Sequence, residues 1–181
     1  MHIENARTVI IFDIIRRYFI YSGYEIIYVT IFKDVDDKII KVYQETNKNP
    51  EDITKKFIAA YFEDMDSLGV KRADKYPLVT ENIDHIIESI VELEKKGFAY
   101  ETNGNVYFRT HLSNDYGKLS GQPLDQLKGG ARIEMNAEKE NPLDFALWKK
   151  GKVNELVWSS PWGKGRPGWH IECSSMILHT L

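Results

Sequence analysis

The sequence predicts an α/β domain entered part-way through a strand–helix–strand unit, and three observations carry that prediction. A broad apolar helix pattern begins almost at once, at Met1-His2-Ile3-Glu4-Asn5, and runs to Gly23. A strand pattern, Tyr24 to Thr30, follows it directly. Further helical stretches and short strand signals then succeed one another, as in a domain that layers helices on a sheet. On this reading the opening strand precedes Met1, and the last helix is still running at Leu181.

In the first helix Val9, Ile10, Phe12, Ile14 and Phe19 supply the apolar face, and Arg7, Asp13, Arg16 and Arg17 the polar positions. Asn5 is the expected cap and Gly23 the stop. Tyr24-Glu25-Ile26-Ile27-Tyr28-Val29-Thr30 is rich in the aromatic and β-branched residues that strands favour. Asp34-Val35-Asp36-Asp37-Lys38 then makes an acidic turn at the carboxyl edge of the sheet, where α/β proteins place ligands. Helices are expected over Ile39 to Thr46, Glu51 to Leu68 and Thr80 to Lys96; Ile83, Ile86, Ile87, Ile90 and Leu93 form the stripe of the last. From Phe98 to about Trp158 short strands at Phe98-Ala99-Tyr100 and Val106-Tyr107-Phe108-Arg109 flank Asn103-Gly104-Asn105 as a hairpin. The expected organisation is therefore a nucleotide-binding region over 1–97, an insertion over 98–158, and a return to the first domain over 159–181.

Composition narrows the function classes. The chain has 181 residues, with Lys plus Arg 24 against Asp plus Glu 27 and a net charge of −3, so no basic tail coats nucleic acid indiscriminately. A single cysteine forms no internal disulfide, and no secretory leader pattern opens the chain, which makes a reducing, cytoplasmic setting the expectation. The longest apolar runs are a few residues, too short for a membrane span.

Cys173 offers a soft sulfur, with His170 one helical turn earlier, yet two ligands do not make a zinc site. A buried or inert cysteine is the alternative. His2 stands before the first helix, where a phosphate would meet unpaired backbone donors, or is merely exposed. Asp34, Asp36 and Asp37 are ligands or a helix-start device. The run Pro161-Trp162-Gly163-Lys164-Gly165-Arg166-Pro167-Gly168-Trp169 matches neither a Walker A loop nor a dinucleotide turn, so by itself it is a linker or a substrate-facing loop.

Taken together, several segments resemble cysteinyl-tRNA synthetase, a class I aminoacyl-tRNA synthetase. They are His2 to Thr8, Tyr28-Val29 with Asp34 to Lys38, Tyr116-Gly117-Lys118-Leu119-Ser120, Gly130-Ala131-Arg132, Asp144 to Lys149, and above all Ser160 to Ser174. The resemblance implies a partial Rossmann-type catalytic domain, truncated at both ends and carrying a connective insertion. It implies ATP-dependent activation of cysteine and its transfer to tRNA. On it, His2 and Asn5 belong to the ATP signature, Trp169 helps form the amino-acid pocket, and Cys173 is one ligand of a zinc ion that selects thiolate over hydroxyl.

The same resemblance marks departures. Glu4 stands where the family has glycine, and Ile31 and Lys33 where it has asparagine and threonine, putting bulk or charge beside the ATP and amino-acid subsites. The remaining zinc ligands and the lysine- and serine-rich phosphate loop fall outside the resembling segment. The expectation is a ligase-like piece that does not act alone. The alternatives are a non-catalytic tRNA- or protein-binding module with Arg109, Lys118, Lys128 and Arg132 as contacts, a cysteine-dependent small-molecule ligase piece, and a split or decayed gene product. Expected partners are cysteine tRNA and a complementary protein fragment or a second copy, with no membrane.

Overall fold

A computed structural model describes residues 2–46, 49–121, 138–153 and 155–181. It has a mixed α/β fold in two compact units, 1–81 and 82–181. Lys128, Arg132 and the Gly130-Ala131-Arg132 motif lie outside the described residues.

In the first unit, helix α1 spans Ile3–Tyr21, α2 Asp37–Thr46 and α3 Pro50–Ser67. His2, not Asn5, is the N-cap of α1: its carbonyl accepts from Asn5 N at 3.1 Å and Ala6 N at 3.2 Å, which places Asn5 inside the first turn. The orientation of α1 is the reverse of what its composition suggests. Its buried residues are Asp13 and Arg16, while Ile11, Ile14, Ile15 and Tyr18, an i, i+3, i+4, i+7 row, are exposed. The polar pair is buried because both carboxylate oxygens of Asp13 and the guanidinium end of Arg16 find partners, although Arg16 Nε is left without one. Asp13 accepts from Lys71 N at 3.2 Å and Arg17 Nε at 2.7 Å, and Arg16 donates to the Arg72 carbonyl at 2.6 Å. α1 thus docks on the 69–74 turn through hydrogen bonds.

The expected strand at Tyr24 to Thr30 is not one. Pairing shifts toward residues 28–32, which run parallel to residues 74–79 with bridges only at Val29–Lys75 and Phe32–Leu78. Phe32 N donates to the Pro77 carbonyl at 3.0 Å and its own carbonyl accepts from Val79 N at 3.3 Å, but Pro77 has no N–H to offer the Thr30 carbonyl, which breaks the ladder between the two bridges. This short, proline-interrupted partner strand carries almost no periodicity. Phe32 is anchored among Tyr61, Phe62 and Tyr76, with ring centroids 5.1, 5.7 and 5.2 Å away. At the start of α3, Asn49 caps by accepting from Glu51 N at 3.0 Å, with Pro50 at the first helical position.

In the second unit, helix α4 spans Ile83–Lys95, β1 Ala99–Thr102, β2 Asn105–Phe108, β3 Phe145–Lys150, β4 Gly165–Pro167 and α5 Trp169–Thr180. α4 starts three residues later than Thr80. Thr80 is instead held by the buried Asp34, whose carboxylate accepts from both its N–H, at 3.1 Å, and its hydroxyl. The strands form one antiparallel sheet in the order β1-β2-β3-β4. The β1–β2 hairpin is as expected: Asn103 and Gly104 take φ of 54° and 85°, the left-handed pair that a two-residue turn demands. β3 and β4 had no separate signal, since β3 mixes Trp148 with two lysines and β4 is three residues long. Ile86, Ile90, Val106, Leu147, Trp148 and Met176 form the core between α4, the sheet and α5.

A buried polar cluster ties the segment just before β3 to β1 and to the turn after β2. Asp144 accepts from Tyr100 Oη at 3.0 Å, Thr110 N at 3.0 Å, Thr110 Oγ1 at 3.2 Å and Asn141 N at 3.1 Å. Burial, more than the facing Asp144, pushes the Tyr100 hydroxyl up to about 12, although the Glu140 N–H bonded to its oxygen works the other way. The folded state therefore keeps this proton after the unfolded chain, with the ordinary value of 10.0, has lost it. The contribution is complete below pH 10 and disappears as pH rises to about 12. Thermal melts across that range should show stability falling with pH, and Tyr100→Phe should flatten the decline. An equally steep decline in the variant would show that Tyr100 is not its source.

Candidate functional site

The residues of the longest motif are brought to one place by α5. The chain leaves β4 at Pro167, and Gly168 N donates to the Leu147 carbonyl at 2.7 Å. Gly168 is also the N-cap of α5, with extended backbone at φ −79° and ψ 155°. A Cβ there would stand 1.9 Å from the Ala146 carbonyl oxygen, so only glycine lets α5 start against β3. Gly165 is equally confined, its Cβ position 2.4 Å from both the Lys149 carbonyl oxygen and Trp148 Nε1. Gly165 and Gly168 are thus seats for backbone crossing, whereas Gly163 has open space about it and serves the turn through its φ of 101°.

From that seat Trp169, His170 and Cys173 follow on the first turns of α5. Trp169 is 68% exposed and its ring stacks on His170 at 6.1 Å, while His170 meets the Phe145 ring edge-on at 4.9 Å. Cys173, one turn after Trp169, is half-buried and has no disulfide partner. Among the described residues no group of three or more His, Cys, Asp or Glu side chains converges to hold a metal ion. The donors present therefore do not fit a closed zinc site, which takes three or four protein ligands.

The signature residues belong to the other unit. His2, Glu4 and Asn5 share the exposed first turn of α1, with its unpaired N–H groups and positive dipole end. Glu4 is the acidic side chain of that turn. Its charge suits the dipole but opposes a polyphosphate at the same place. Ile31 and Lys33 flank Phe32 on the extended segment, and Lys33 borders a cavity of about 200 Å³ between that segment and α3.

A larger cavity, about 680 Å³, lies in the second unit and had not been anticipated from the sequence. His85, Ser89 and Glu92 of α4 face His170, Ser175 and His179 of α5 across it, over a floor that includes Phe108 and Phe145. The Ser89 and Ser175 hydroxyls are 2.9 Å apart, and the His85 and His179 rings stack at 3.3 Å. His170, Ile171 and Ser174 of the motif line it, whereas Trp169 and Cys173 do not. The signal was available in the polar row 85, 89 and 92 of α4, continued by Lys96 at its C-cap, beside its isoleucine stripe.

Of the cations named as RNA contacts, Arg109 is bound to Glu140 at 2.7 and 2.8 Å and to the Gly97 and Ala99 carbonyls, and Lys118 is 3.2 Å from Asp115. Among the described residues no helix is long and apolar enough to cross a membrane.

Comparison with known proteins covers the whole chain. Residues 1–181 match the family model described as the tRNA synthetases class I (C) catalytic domain. Proteins named cysteine--tRNA ligase from Anoxybacillus flavithermus, Shouchella clausii and Carboxydothermus hydrogenoformans are 58%, 57% and 56% identical to it over 181 residues. In each case all of this chain aligns with 39% of the relative, so the chain spans about two-fifths of their length.

Proposed function

Because the chain belongs to the class I cysteinyl-tRNA synthetase family, we propose that it carries the ATP-signature helix, the connective insertion over 98–158 and the amino-acid-facing helix of a cysteine–tRNA ligase, and does not activate cysteine alone. The observation that carries this reading is the seating of α5. The Ser160 to Ser174 motif is the most extended likeness to the family, and the fold uses its Gly165 and Gly168 to seat the helix that carries Trp169 and Cys173 against β3.

In the family reaction the cysteine carboxylate attacks the α-phosphate of ATP, the α–β phosphoanhydride bond breaks and pyrophosphate leaves, and the protein contributes alignment and charge stabilisation. His2 and Asn5 are assigned to the ATP side, where the α1 N-terminus presents backbone donors. Trp169 is assigned to the amino-acid pocket. Cys173 supplies one soft ligand, and zinc binding by this chain is correspondingly weak. Glu4, Ile31 and Lys33 weigh against tight ATP and cysteine binding.

Association fits the same reading. The exposed Ile11, Ile14, Ile15 and Tyr18 row of α1 has the spacing of a helix face made for burial, and a complementary protein fragment or a second copy would cover it. Cysteine tRNA is the nucleic-acid partner on this reading, and a cytoplasmic setting accords with one unpaired thiol. The test is cysteine-dependent exchange of pyrophosphate into ATP by the purified chain: none is expected, and clear exchange would overturn the claim.

A further inference from the structure

The turn between β1 and β2 holds chemistry that the ligase reading does not use. Asn103-Gly104 is the one Asn-Gly pair in the chain. Among the described residues Asn103 is also the one non-glycine residue with a positive φ, 54°, and it is exposed at the tip of the hairpin. Gly104, at φ 85°, occupies a position that favours glycine. Its N–H donates to Glu101 Oε1 at 2.6 Å, so a carboxylate stands on the backbone nitrogen that follows the asparagine. The Asn103 carboxamide donates through Nδ2 to Glu138 Oε1 at 3.3 Å.

These groups are the parts of an intramolecular acyl transfer. A bond from the Gly104 nitrogen to Asn103 Cγ closes a five-membered imide ring, and without a Cβ on residue 104 nothing on that residue crowds the approach. An amide nitrogen is a poor nucleophile until its proton is withdrawn. The Glu101 carboxylate already holds that proton in a hydrogen bond, the geometry a general base requires.

We propose that Asn103 is a site of spontaneous deamidation, with Glu101 as a general base built into the turn. Glu101 takes the Gly104 proton as the nitrogen bonds to Asn103 Cγ. The Cγ–Nδ2 bond then breaks, and the proton passes to the leaving nitrogen, which departs as ammonia. Water opens the imide, its hydroxyl going to a carbonyl carbon and its proton to the ring nitrogen. Addition at Cγ leaves aspartate at position 103, and addition at the main-chain carbonyl leaves isoaspartate, whose backbone runs through the side chain. Water is the only co-reactant. Either product sets a new carboxylate beside Glu138 where a donor stood, exchanging a hydrogen bond for like-charge repulsion. Isoaspartate also lengthens the backbone of a two-residue turn, against the Thr102–Asn105 register that closes the hairpin. Asn105 in turn accepts from Lys150 N at 2.9 Å, so the disturbance reaches the pairing of β2 with β3.

The experiment ages the purified chain for weeks at neutral and mildly alkaline pH in water enriched in heavy oxygen, and maps the product by peptide mass spectrometry. The peptide spanning Asn103 should take up one heavy oxygen about tenfold or more faster than any other asparagine of the chain. Part of the product should accept a labelled methyl group from an isoaspartyl methyltransferase. Glu101→Gln keeps a side-chain oxygen for the Gly104 N–H but loses the base. It should melt as the unaltered chain does and convert about tenfold more slowly. In denaturant, where that hydrogen bond is gone, the two proteins should convert alike. Conversion at Asn103 no faster than at the other asparagines overturns the site. Equal rates for the folded chain and folded Glu101→Gln overturn the base, as does a difference that persists in denaturant. None of these readouts involves pyrophosphate exchange, so the ligase reading stands or falls separately.

Discussion

Gly168→Ala is expected to lower stability by about 3 kcal/mol or more, the upper part of the range for overpacked sites. The reason is that the added methyl meets backbone, not a side chain that can swing away. It would lie 1.9 Å from the Ala146 carbonyl oxygen and 2.7 Å from its carbonyl carbon, and relief requires β3 and α5 to separate. Separation stretches the 2.7 Å bond from Gly168 N to the Leu147 carbonyl and uncovers Ile171 and Met176, both in the core. For a unit of this size the melting temperature should fall by on the order of 10–20 °C. Cys173 should also react faster with a thiol reagent, because the turn that carries it is no longer seated. A variant with an unchanged melt and unchanged thiol reactivity would show that α5 does not depend on this crossing.

Asp144→Ala is expected to cost about 3–5 kcal/mol, because one buried carboxylate satisfies four donors and its loss strands several of them together. Asp144 is 1% exposed, so water does not readily replace it. The Tyr100 hydroxyl and both donors of Thr110 would be left facing a small cavity beside the sheet. Chemical denaturation measures the loss directly. A change below about 1 kcal/mol would mean that solvent reaches these groups and that the cluster does not hold the segment before β3 to β1.

The parts of the fold that were legible in the sequence are those whose stabilisation is local. The Asn103-Gly104 turn, the α4 stripe and the α3 helix each combine a residue type with a spacing that acts within a few residues. What escaped depended on distant partners. The parallel pairing of residues 28–32 with 74–79 is interrupted by Pro77 and held by an aromatic cluster, neither of which produces alternation. Asp13 and Arg16 look like solvent positions on a helix wheel, and only the carbonyls and N–H groups of the 69–74 turn make their burial favourable. At the candidate site, Trp169 and Cys173 could be named from the motif. That its glycines seat the helix against β3 could not, because β3 itself carried no clear signal.

The central claim, that this chain belongs to a cysteine–tRNA ligase catalytic domain but does not perform the activation step alone, meets its most direct test in cysteine-dependent exchange of labelled pyrophosphate into ATP. The purified chain and a full-length family member should be assayed side by side, with zinc supplied and serine as the rejected analogue. The account predicts exchange by the full-length enzyme with cysteine only, and exchange no higher than the cysteine-free background for the chain. Cysteine-dependent exchange by the chain itself, abolished by Cys173→Ala, would contradict it.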